Sequence, residues 1–148
     1  MSAFAASFTG LPGIAAHPWA YPALEVAHIV GIALLVGNLV LLELRVWGIA
    51  PALPVAPLAR LSLTIAAVGF CVIVVSGLAM FASRPAELLA NRFFVVKMGL
   101  IALAGLNAAW FHGRDSLRRM DRVARTQTAL SAGLWLGAII CGRWIAYH

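Results

Sequence analysis

The sequence predicts an all-α, polytopic membrane protein, a four-transmembrane-helix bundle forming a single domain. Three observations lead there. Of the 148 residues, 63% are hydrophobic and only 11% charged, whereas a soluble domain carries about 25% charged residues. Four stretches, at about 23–45, 60–82, 92–112 and 127–146, each supply the roughly 20 mostly apolar residues that a spanning helix needs. The net charge of +6 comes from basic residues gathered at the ends of those stretches, which argues against a nucleic-acid-binding surface.

Each element follows from local chemistry. Residues 1–22 hold Pro12, Pro18 and Pro22 with Trp19 and Tyr21, and no Lys or Arg. They read as an irregular arm with aromatics at the membrane surface, and without a basic n-region no cleaved signal peptide is expected. Span one starts just after Pro22, a common helix-start position. It exits through Glu43, Arg45 and Trp47 into a loop where Pro51, Pro54 and Pro57 forbid a continuous helix. Span two runs from Arg60 to Ala82 and stops at Ser83-Arg84-Pro85. Span three begins near Asn91-Arg92-Phe93-Phe94 and ends at Phe111-His112-Gly113. The segment from Arg114 to Arg125 mixes five Arg with two Asp and reads as a solvated helical extension against anionic headgroups. Span four runs on to Trp144 and Tyr147, which anchor its end.

Charge sets the expected orientation. Arg45, Arg60, Arg114, Arg118, Arg119, Arg122 and Arg125 belong to the loops after spans one and three, and only Arg84 and Arg92 follow span two. By the positive-inside rule the Arg-rich loops are cytoplasmic. Both termini then lie outside, in the periplasm if the membrane is a bacterial inner membrane. The expected partners are membrane lipid and another membrane protein or a second copy, with no nucleic acid. Cys71 and Cys141 fall inside spans and read as small apolar fillers. Gly133 and Gly137 form a GxxxG, and Gly69 and Gly77 also allow close approach, within the bundle or at a homodimer seam.

Spans one and three share a pattern. The segment from His28 to Asn38 aligns with that from Lys97 to Asn107, with Ile-Ala-Leu and the final Asn matching at one offset. Two copies of a helix-pair unit, related by an axis along the membrane normal, would show this. Both helices run in the same direction, so His28 and Lys97 share one depth in the outer half. Asn38 and Asn107 share another in the inner half, where they can hydrogen-bond each other. Glu43, His112 and Arg60 are expected to form a polar cluster at the inner face.

His28 alone among the histidines lies within a span, and an imidazole in hydrocarbon tends to face a partner, a cofactor or a cavity. Three readings stay open. His28 hydrogen-bonds a neighbouring helix; or it ligates haem iron through a ring nitrogen; or it binds copper with Met80, Met98 or Cys141, soft ligands suited to Cu(I). No Met-x-Met or Cys-x-x-Cys spacing supports the last. A second haem-ligating histidine is lacking, since His112 is at the opposite face and His17 and His148 are in the tails. Glu25 is one turn from His28 on nearly the same face. Lys97 and Arg143, with little carboxylate nearby, suit an anionic ligand such as haem propionates, or else snorkel to headgroups.

At these residues the chain resembles known groups. Glu25-Val-Ala-His28-Ile-Val-Gly, running on to Leu44-Arg45, resembles the first helix of HemJ-type membrane proteins. The segment Phe93-Phe-Val-Val-Lys97-Met-Gly-Leu, followed by Asn107, resembles a helix of the CopD-like copper-resistance domain. Small bacterial four-helix proteins related to both share the pattern, which covers two of the four helices here. The resemblance implies a b-type haem with His28 as ligand and Lys97 as the matching polar position, serving electron transfer or membrane redox chemistry. It departs from the HemJ pattern at Val36-Gly37-Asn38, where an aromatic usually precedes the small residue, and in the late position of His112. Copper handling is the first alternative. A cofactor-free accessory subunit of a larger membrane complex is the second.

Overall fold

A computed structural model describes residues 17–147. The chain forms α1 (Ala20–Val46), α2 (Val55–Ser83), a short α3 (Pro85–Ala90), α4 (Arg92–Gly113), the single turn α5 (Ser116–Arg119) and α6 (Arg122–Ile145). Helices α1, α2, α4 and α6 are each long and apolar enough to cross a membrane, and no strand occurs among the described residues. The all-α four-helix architecture is therefore as the composition predicts. Most of the amino-terminal arm, and His148, lie outside the described residues.

Three helix starts differ from expectation. α1 begins at Ala20 and α2 at Val55, ahead of Pro22 and Pro57. Both prolines fall in a first turn, where the missing N–H would have had no intrahelical partner. α6 begins at Arg122 and not near residue 127, because the Asp121 carboxylate accepts a hydrogen bond from Ala124 N at 2.9 Å and caps it. The Arg114–Arg125 segment is not a continuous helical extension. Asp115 (φ 57°) and Met120 (φ 45°) take left-handed backbone on either side of α5. Arg114 closes the resulting knot with a two-point pair to Asp121, at 3.2 and 2.5 Å.

α1 stops by a Schellman arrangement. Gly48 takes φ +92°, Gly48 N–H donates to Arg45 O, and Ile49 N–H donates to Leu44 O. Left-handed backbone there suits glycine. Arg45 then reaches forward to the carbonyls of Leu53 (2.8 Å) and Pro51 (3.2 Å), holding the proline loop against the helix end.

The spans pair in chain order, α1 with α2 and α4 with α6, and the two hairpins meet through α1 and α6. α1 and α2 cross at glycine. A Cβ placed on Gly69 would stand 2.7 Å from the Gly31 carbonyl oxygen, and one on Gly31 would stand 2.9 Å from that of Gly69. Between helices in lipid, such backbone approach supplies the dispersion contact that a hydrophobic drive cannot. In the second hairpin Gly137 packs on Leu100, whereas Gly133 faces open space, so only half of that GxxxG serves internal packing.

A buried apolar cluster of Val46, Phe111 and Ala124, with Leu117 against it, lies at the arginine-rich end. Hydrogen bonds accompany it. Asn107 Nδ2 donates to Gln127 O at 2.9 Å, and Ser116 Oγ donates to Gln127 Oε1 at 2.6 Å. Asn38 instead donates to Leu34 O of its own helix, so the expected Asn38–Asn107 bond is not made. Elsewhere the spans are thinly covered: at most 28% of any span's most apolar window is buried, and the remaining apolar surface is left to lipid or another subunit.

Two consequences can be measured. Gly69→Ala forces a methyl into backbone and should lower stability by about 1–3 kcal/mol, whereas Gly37→Ala, which enters open space, should be neutral or slightly stabilising. Thermal unfolding in detergent compares them. Separately, the hydrogen bond from Arg114, then that from Ala124 N–H, hold the Asp121 carboxyl well below the ordinary carboxylate range. A carboxyl depressed in the folded state stabilises above its unfolded value, about pH 4, and loses that contribution as acid protonates it. Asp121→Asn should therefore lower the Tm at pH 7, with the gap to wild type closing as the pH falls below 4.

Candidate functional site

The candidate site grows from the glycine crossing. His28 lies one turn before Gly31 on α1, and Ser76 lies two turns beyond Gly69 on α2. Close backbones bring the two side chains together, with His28 Nδ1 2.9 Å from Ser76 Oγ. Ser76 is itself buried and its hydroxyl is 2.6 Å from Val72 O on its own helix. A serine hydroxyl has one proton to give. With that proton directed to Val72 O, Ser76 Oγ accepts from His28, so Nδ1 carries the imidazole proton and Nε2 keeps a free lone pair. The ring lies over Gly77, where a Cβ would come 3.3 Å from His28 Cε1. The reading that His28 hydrogen-bonds a neighbouring helix is thus realised through Nδ1, while Nε2 remains available for chemistry.

Lys97 occupies the corresponding place in the second hairpin. Its Nζ lies against Gly142 of α6, 3.3 Å from where a Cβ would be. Among the described residues it makes no hydrogen bond or ion pair. Lys97 is only partly exposed, so it does not simply snorkel clear of the bundle.

The other candidates at this depth are placed differently. Glu25 is exposed. Arg143 is exposed and donates to Tyr147 Oη at 2.6 Å while lying 4.9 Å over the same ring, which directs it along α6. Arg84 stacks over Tyr21 at 5.0 Å and pairs with Glu87. Of the copper set, Met98 is 48% exposed, while Met80 and Cys141 are half-buried. Among the described residues no group of three His, Cys, Asp or Glu converges as a metal site. Both cysteines are free thiols.

At the arginine-rich end the expected cluster of Glu43, His112 and Arg60 does not form. Glu43 is buried beside Ser131 of α6. His112 is exposed and bonds Ala108 O of its own helix, and Arg60 is exposed. The buried partners are Ser116, Gln127, Thr128 and Asn107. Asn107 Oδ1 and Gln127 Nε2 have no hydrogen-bond partner among the described residues. Sequence reasoning missed Ser76, Gln127 and Ser131. A polar residue within a hydrocarbon-length run was the available signal.

Fold and site together define a multi-pass α-helical membrane protein with a serine-anchored imidazole and an uncommitted lysine in the same half of the bundle. No protein-family model matches the chain, and no curated protein or solved structure is similar to it.

The hydrogen-bond direction can be tested. Nitrogen-15 NMR of histidine-labelled protein should find His28 as the Nδ1–H tautomer. Ser76→Ala removes the acceptor and should move the population towards Nε2–H.

Proposed function

We propose that this chain is a b-type haem-binding protein of the bacterial inner membrane, with His28 Nε2 as axial ligand to the iron. One observation carries the reading: His28 Nδ1 lies 2.9 Å from the buried Ser76 Oγ, and with the serine proton on Val72 O this leaves Nε2 as the free donor atom. Ligating histidines commonly donate their other ring N–H to a fixed acceptor, which sets the tautomer and the ring orientation. Gly77 keeps the α2 surface low beneath the ring. Lys97, a cation without a carboxylate partner among the described residues, suits a propionate. The likeness of α1 to the first helix of HemJ-type proteins points to the same chemistry.

When bound, haem would supply one-electron redox chemistry within the membrane. The chain's own residues do the rest. Ser76 orients the imidazole, Lys97 offers charge to a carboxylate, and the apolar spans keep water away. Arg143 and Glu25, both exposed, contribute at most at the rim. In this reading the arginine-rich end is cytoplasmic and both termini are outside.

Protein purified from haem-supplemented membranes should show a Soret band that shifts on reduction. His28→Ala should abolish the band, and Lys97→Gln should keep it with weaker haem retention. A wild-type preparation without a Soret band would sink the proposal. Copper in place of haem, lost in His28→Ala, would favour the copper-handling reading. The thin burial of the spans favours a second alternative, an accessory subunit without cofactor, which predicts a stoichiometric membrane partner on purification in mild detergent.

A further inference from the structure

A groove of about 460 Å³ opens at the arginine-rich end, lined by Trp47, Arg125, Thr126 and Ala129. Its two walls are tied together. Trp47 Nε1–H donates to Thr128 Oγ1 at 2.8 Å, and Thr128 Oγ1 donates in turn to Arg125 O at 2.9 Å. The indole just beyond α1 and the α6 backbone that carries Arg125 are therefore held in fixed relation.

The charge in this groove has no internal counter-ion. Asp121 is one turn before Arg125, but its carboxylate is engaged by Arg114 and by Ala124 N. Asp115 pairs with Arg118, and Glu43 is buried against Ser131. Those are all the carboxylates at this end. Arg60, Arg119, Arg122 and Arg125 enter no ion pair among the described residues. The Thr126 hydroxyl is turned back to Arg122 O, so Arg125 supplies the available charge of the groove. Trp47 is an interfacial residue type at a span end, the depth of lipid headgroups.

We propose that this groove binds the phosphate of an anionic phospholipid. The Arg125 guanidinium donates to the phosphate oxygens, and the upper acyl chain lies between the Trp47 indole and Ala129. The site is distinct from the surrounding basic surface because its walls are locked by the Trp47–Thr128–Arg125 chain.

Native mass spectrometry of the detergent-solubilised protein, titrated with phosphatidylglycerol or phosphatidylcholine, tests this. Wild type should retain one phosphatidylglycerol in preference to phosphatidylcholine. Arg125→Gln should lower that retention about five-fold, the worth of one basic residue near an anionic surface. Arg60→Gln, which removes equal charge at the same end but outside the groove, should leave it nearly unchanged. Thr128→Val keeps every charge but breaks the tie, and should also weaken retention. Inorganic phosphate at matched ionic strength should not compete. Equal loss in Arg125→Gln and Arg60→Gln would show diffuse attraction only and overturn the site, as would no preference for phosphatidylglycerol, full retention in Thr128→Val, or displacement by free phosphate.

Discussion

The backbone contact between Gly31 and Gly69 is the constraint on which the rest of the bundle depends. Helices immersed in lipid gain nothing from hiding apolar side chains from each other, so they need shape and hydrogen bonds to associate. Two glycines meeting carbonyl to Cα give α1 and α2 a separation that no larger residue allows. That separation puts a histidine of one helix within bonding distance of a serine on the other. It also frees the opposite side of α1 to meet α6, where Trp47 just beyond α1 bonds Thr128. α1 is thus shared between both hairpins, by close backbone packing on one side and hydrogen bonding on the other.

The two hairpins solve the same problem by different means. In each, a polar residue near the start of the first helix lies over a glycine of the second, His28 over Gly77 and Lys97 over Gly142. The imidazole finds a serine, while the ammonium finds no partner among the described residues. An unpaired cation in low-dielectric surroundings is costly, so the second hairpin carries a burden that the first does not.

The number of spans was readable because apolar runs of membrane length leave few alternatives. Helix starts were less readable, since Pro22 and Pro57 break a helix only in its interior and here sit in first turns. His28 and Lys97 stood out as polar residues in apolar sequence. Their partners did not, because partnership depends on which face of α2 and α6 turns inward, and that is settled by glycine contacts many residues away. Arg143 and Glu25 show the limit of arguing from depth alone: they share the level of His28 but point elsewhere. Asn38 shows the same limit, bonding back to its own helix and not across to Asn107.

A side-chain hydrogen bond, Trp47–Thr128, joins the two hairpins at the arginine-rich end. At the other end the short α3 connects them through the chain, and Phe81 of α2 stacks on Phe94 of α4 with ring centroids 5.7 Å apart. An aromatic pair contributes about 0.5–1.5 kcal/mol beyond the area it buries, and it tolerates sliding in a way that a buried hydrogen bond does not. The bundle is therefore fastened by a hydrogen bond beside the arginines, and by the chain itself and stacked rings at the end that carries His28 and Lys97.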